Sequence, residues 1–121
     1  MTKILVVDDE FLVAEMIACL LEDEGYEVAQ ASHGRQALAM IQEERPALVI
    51  TDFMMPLMTG LELARALKAT SGYRDLPIIL MSGAQGAIAR DHHDLFAAVF
   101  DKPFRNGHLL EQVRKLIDVV Q

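Results

Sequence analysis

Asp52 follows the apolar run Ala47-Leu48-Val49-Ile50, and Asp8 and Asp9 follow a second such run, Ile4-Leu5-Val6-Val7. Ser82 closes a third, Pro77-Ile78-Ile79-Leu80-Met81, and Lys102 comes just after a fourth, Ala98-Val99-Phe100. Short apolar runs of this kind read as buried strands. If the strands are parallel, their carboxyl ends share one edge of the sheet, the edge at which open α/β sheets bind ligands. Two acids about 4 Å apart repel by roughly 4 kcal/mol at an effective dielectric of about 20, so Asp8, Asp9 and Asp52 together ask for a cation among them. Hard oxygen donors favour magnesium or manganese. The Ser82 hydroxyl and the Lys102 ammonium then suit the oxygens of a phosphoryl group.

The elements that must position these groups alternate along the chain. Strands are predicted at 3–8, 26–29, 47–51, 77–81 and 98–100. A helix at about 10–24 places Ala14, Ile17, Leu20 and Leu21 on its inner stripe, with Gly25 as its stop. Ser32 reads as the cap of a helix running to about Glu44, where Ala37, Leu38 and Ile41 are spaced three and four apart before Pro46. Thr59 or Gly60 opens a third helix, with Leu61, Leu63, Ala64 and Leu67, ending near residues 70–72. The last helix, at about 105–120, aligns Leu109, Leu110, Val113, Leu116 and Ile117. Between Ser82 and Lys102 the fourth helix is predicted to be short, with Gly83 and Gly86 near its start. Alternation of this kind gives a parallel sheet covered on both faces.

Composition narrows the function class. At 121 residues and 52% hydrophobic, the chain suits one domain, taken as 1–121. Eighteen acidic against eleven basic residues give a net charge of −7, which disfavours direct nucleic-acid binding. No run approaches the roughly 18 apolar residues of a membrane span, and no leader pattern is present, so a cytoplasmic location is expected. Cys19, beside Met16, Ile17 and Leu20, reads as a small core side chain.

Asp8-Asp9, Asp52 within Asp52-Phe53-Met54-Met55-Pro56-Leu57-Met58-Thr59-Gly60, Ser82, and Lys102-Pro103 together resemble the response-regulator receiver domain, the CheY-like module of two-component signalling. The likeness spans almost the whole chain. It implies a flavodoxin-like (βα)5 sandwich with a five-stranded parallel sheet in the order 2-1-3-4-5. It implies Asp52 as phosphoacceptor and a magnesium ion held by Asp9, Asp52, the backbone carbonyl of Met54 and, through water, Asp8. Lys102 and Ser82 would answer the new phosphoryl group, and the Lys102–Pro103 peptide would be cis. The implied donor is a sensor histidine kinase or a histidine phosphotransfer protein, docking around Asp52 and the first helix. The output is contact with a further protein, as a monomer or a phosphorylation-linked dimer. The chain's span also fits a free-standing receiver that accepts phosphoryl groups stoichiometrically and is not a turnover enzyme.

Two departures from the family pattern matter. The position three before the lysine, usually aromatic, holds Val99, and Phe100 faces the other side of the strand, so it cannot substitute. Met54 and Ala84, two residues after Asp52 and Ser82, flank the path of an attacking water in the family, and neither can orient it; slow self-dephosphorylation follows.

Competing readings fit less well. A flavodoxin-like cofactor binder wants a Ser/Thr/Gly-rich loop after the first strand, where this chain has acids. A haloacid-dehalogenase phosphatase wants a second acid two positions past its nucleophile, where this chain has Met54. His92 and His93 point apart on a helix and read as solvated. The remaining alternative is a receiver-fold binding module that works without phosphorylation, or as a phosphate sink.

Overall fold

The computed structural model describes residues 3–83, 92 and 94–118. They form β1 (Lys3–Val7), α1 (Phe11–Glu22), β2 (Glu27–Ala31), α2 (Gly34–Glu43), β3 (Leu48–Asp52), α3 (Gly60–Ala69), β4 (Ile78–Ser82), β5 (Ala98–Asp101) and α4 (Asn106–Asp118). The five strands are parallel in the order β2-β1-β3-β4-β5, the doubly wound arrangement expected. Of the segment between Ser82 and Lys102 in which the short fourth helix is predicted, residues 84–91 and 93 lie outside the described residues, and Ala84 with them.

Strand alternation builds two cores. Ile4, Val6, Leu48, Ile50, Ile79 and Met81 face α1 and α4, where Ile17, Leu21, Leu109 and Val113 meet them. Leu5, Val7, Val49, Ile78 and Leu80 face α2 and α3, against Ala37, Ile41, Leu63 and Leu67. The central strands β3 and β4 are buried along their whole length, as strands covered on both faces must be.

Three local expectations need correction. The second strand is Glu27–Ala31, not 26–29, because pairing with Lys3–Val7 in β1 fixes its length. The α2 cap is His33, whose Nδ1 accepts from the Gln36 N–H at 3.1 Å; Ser32 instead gives its N–H and hydroxyl to the Gln36 side-chain oxygen. Cys19 is exposed, on the outer face of α1, and partial desolvation and the Glu15 carboxylate push its thiol pKa up, so it is neither core nor a ready thiolate.

The start of α3 is pressed against the end of β3. Thr59 and Glu62 form a reciprocal capping box, and the Gly60 N–H donates to the Phe53 carbonyl at 2.8 Å. A Cβ on Gly60 would lie 2.4 Å from the Asp52 carbonyl oxygen and 2.8 Å from Leu80 Cδ1. Because backbone cannot retreat as a side-chain tip can, Gly60→Ala is expected to cost about 1–3 kcal/mol or more. Urea denaturation of the purified variant checks this; an unchanged midpoint would refute the close approach.

Candidate functional site

Register brings the chemistry together. Val7 pairs with Thr51, so the next residues, Asp8 and Asp52, end adjacent strands side by side. Asp52 pairs with Met81, and Ser82 with Asp101, which places Lys102 one step beyond the same edge. The Lys102 N–H donates to the Ser82 carbonyl at 2.7 Å, tying the two ends. The Lys102–Pro103 peptide is cis.

Lys102 Nζ lies 3.0 Å from Asp52 Oδ1 and 3.8 Å from Asp8 Oδ2. Asp8, Asp52 and Ser82 are buried and Asp9 is exposed, so the cluster has a dry floor and one open side. Asp8 is aimed by the Glu10 N–H, which donates to Asp8 Oδ1 at 2.9 Å. Burial pushes the Asp8 carboxyl up to about 6, with the neighbouring Asp52 and Asp9 charges adding to the rise against the Glu10 N–H and Lys102. For Lys102, burial pulls downward, but the bond to Asp52 and the Asp52, Asp8 and Glu10 charges outweigh it and hold the ammonium above its usual value.

The donor set fits a hard cation. Among the described residues, Asp8, Asp9 and Asp52 bring carboxylate oxygens within 4.8 Å of one another. Asp8 Oδ2 is buried without a hydrogen-bond donor. A buried anionic oxygen with only a distant ammonium is the atom that a divalent ion would satisfy.

Residues 4–114 match the family described as the response regulator receiver domain. The chain belongs to that family. It is a receiver domain of two-component signalling, and its relatives include the phosphate regulon transcriptional regulatory protein PhoB of Pseudomonas aeruginosa, 38% identical over 94% of this chain and 51% of that protein. This receiver domain therefore spans about half the length of curated relatives such as these. Among solved structures, the signal receiver domain of a histidine kinase from Syntrophus aciditrophicus superposes with a TM-score of 0.92 at 30% identity, covering 100% of this chain and 93% of that one. TrrA of Thermotoga maritima, in complex with Mg2+ and BeF, gives 0.85 at 34% identity, covering 96% of this chain and 99% of that one.

Not every residue singled out in the sequence joins the receiver's acid cluster. Met54 sits in the loop after β3 with its side chain exposed. Val99 packs on the α2–α3 side, while Phe100 packs on the α1–α4 side, where its ring stacks on Phe104 at 6.0 Å. The alternation that prevents Phe100 from replacing an aromatic at 99 is thus present. Sequence reasoning passed over Thr51, whose buried hydroxyl donates to the Asp52 carbonyl at 3.0 Å; a lone threonine inside an otherwise apolar strand was the available signal. Among the described residues, no helix is long and apolar enough to cross a membrane.

Proposed function

We propose that residues 1–121 act as one phosphoacceptor module of a cytoplasmic phosphorelay, taking a phosphoryl group from the phosphohistidine of a sensor histidine kinase or phosphotransfer protein onto Asp52. The observation that carries this reading is the Lys102 ammonium 3.0 Å from Asp52 inside a three-carboxylate cluster at the carboxyl edge of a parallel sheet. A carboxylate oxygen of Asp52 forms the bond to phosphorus as the phosphorus–nitrogen bond to imidazole breaks, with imidazole as the leaving group. Lys102 pairs with the equatorial oxygens, and the floor of the site keeps Asp52 in place. Asp8, Asp9, Asp52 and the Met54 carbonyl would hold Mg2+ or Mn2+, which supplies charge neutralisation on the phosphoryl oxygens when bound. Ser82 then offers its hydroxyl to the new phosphoryl group. The product is a stoichiometric aspartyl phosphate read by a further protein; the charge of −7 favours a protein target over nucleic acid.

Intact mass after incubation with acetyl phosphate, with magnesium or with chelator, tests the reading. A magnesium-dependent phosphoryl adduct supports it. No adduct on the folded protein would favour a binding module that works without phosphorylation.

The adduct should also be long-lived, because the exposed Met54 thioether cannot align a water beside the phosphoryl group. Met54→Asn is expected to speed its decay several-fold, on the order of the contribution of one positioned polar group. Loss of the adduct mass after removal of the donor reports the rate, and equal half-lives for the two proteins would remove the water-positioning argument.

A further inference from the structure

We propose that the contact of Met58 on Gly34 is a clasp that holds the loop after β3 in its metal-binding form and so couples the acid cluster to the first turn of α2. The inference rests on the reading of Asp8, Asp9, Asp52 and the Met54 carbonyl as a cation site. Gly34 is the first residue of α2. Gly25 and Gly72 carry positive φ but Gly34 does not, so the helix itself has no need of glycine there, and alanine is the better helix former. What excludes a side chain is Met58. A Cβ on Gly34 would lie 2.6 Å from Met58 Sδ and 2.9 Å from both its Cβ and its Cγ. Turning the thioether aside cannot relieve this, because Met58 Cβ is fixed to the loop backbone.

The loop is held at three points. Its base is closed by the Gly60 N–H on the Phe53 carbonyl at 2.8 Å. Met55 is buried in the α2–α3 core, with the Thr51 hydroxyl 3.9 Å from its sulfur. The tip has Leu57 at φ 71°, with the Met58 N–H donating to the Pro56 carbonyl at 2.8 Å, the rare left-handed three-residue turn that is costly for a residue with a Cβ. Leu57 is 86% exposed, so its own side chain does not hold the turn. Met58 does, half-buried between Gly34 and the core. A strained turn persists only where its surroundings over-determine it. Met54, whose carbonyl would hold the cation with the carboxylates, lies between these supports.

The first turn of α2 also meets the acid cluster from its other side. The Asp8 N–H donates to the Ala31 carbonyl at 3.1 Å, and Ser32 and Gln36 share with Asp8 and Asp9 the walls of a cavity of about 230 Å³. Gln36 ties the turn together. Its N–H donates to His33 Nδ1 at 3.1 Å, and its side-chain oxygen accepts from the Ser32 N–H at 2.8 Å and hydroxyl at 3.0 Å. Filling the cluster with a cation and fixing this turn are therefore two ends of one packed unit, and by linkage each strengthens the other.

Gly34→Ala and Met58→Ala, singly and together, test the coupling, with magnesium alone as the probe and isothermal titration calorimetry as the readout. Each single variant is expected to weaken magnesium binding about five- to tenfold. In the Met58→Ala background, Gly34→Ala should add less than about twofold, because the clasp is already open. Amide hydrogen exchange on the wild type reads the same coupling from the other end. Magnesium should slow the Gln36 N–H several-fold more than the Glu44 N–H at the far end of α2, which donates to the Met40 carbonyl at 3.0 Å, and Met58→Ala should remove that difference. Lower melting temperatures in the single variants with magnesium affinity unchanged would make the contact structural only and overturn the inference. So would an equal loss of affinity from Gly34→Ala in both backgrounds, or equal slowing of the two amides. No magnesium binding to wild type would remove the metal-site reading and this inference with it, whereas binding that the variants share unaltered removes the inference alone.

Discussion

Asp52→Ala is expected to leave the protein without a phosphoryl adduct under conditions in which wild type with magnesium is labelled, a fall in rate of more than about a thousandfold. The expectation turns on how poorly the neighbouring oxygens can substitute. Asp8 has one oxygen committed to the Glu10 N–H and is 1% exposed with the other oxygen at the buried floor of the cluster, so it is poorly placed as a nucleophile. Asp9 is exposed, and among the described residues its carboxylate is not seen paired with Lys102 as Asp52 is. Ser82 offers a buried neutral hydroxyl, which needs a base to become a nucleophile. Only Asp52 combines an available carboxylate with an ammonium at 3.0 Å. Intact mass with peptide mapping measures the outcome, alongside circular dichroism to show that the variant is folded. An adduct that persists and maps to Asp8 or Ser82 would mean that the cluster, and not Asp52, is the acceptor.

The acid cluster was legible in the sequence because two simple periodicities determine it. A buried parallel strand reads as an unbroken apolar run, its end is marked by the first polar residue, and parallel pairing then aligns those ends without any knowledge of side-chain rotamers. That is why Asp8, Asp52, Ser82 and Lys102 fall where the runs ended. What was not legible depends on tertiary detail. Cys19 has apolar neighbours in sequence, yet the stripe that packs is Ala14, Ile17, Ala18 and Leu21, and a mean hydrophobic neighbourhood does not say which face of a helix turns inward. Ser32 and His33 are adjacent, and the choice between them as cap was decided by Gln36, whose side chain takes both Ser32 donors. Leu57, at φ 71°, carries no sequence signal of a left-handed backbone at all, because leucine is among the residues least suited to one.

The stability of the metal-free protein is expected to fall as pH rises through about 6, against the usual behaviour of a salt-bridged carboxylate. Asp8 has a folded pKa raised from 3.8 to about 6, first by burial. The folded state therefore holds this proton more tightly than the unfolded chain does. Its contribution to stability is fully present below about pH 4 and is lost on passing through about pH 6, an effect of up to ~3 kcal/mol at 1.36 kcal/mol per tenfold change in proton affinity. Asp8→Asn supplies a permanently neutral side chain of the same shape, so the wild type should approach the variant in stability at pH 4.5 and fall below it at pH 7.5 when magnesium is chelated. With magnesium the sign reverses, because the cation and the proton compete for the same oxygen: apparent affinity should drop about tenfold per pH unit below 6, and the magnesium-induced rise in melting temperature should grow from pH 5 to pH 7.5. Urea titrations of both proteins across that range, with and without magnesium, measure all of these slopes. Parallel curves for wild type and Asp8→Asn would show that the buried carboxyl does not titrate in this window, and that Lys102 at 3.8 Å suffices to keep it ionised.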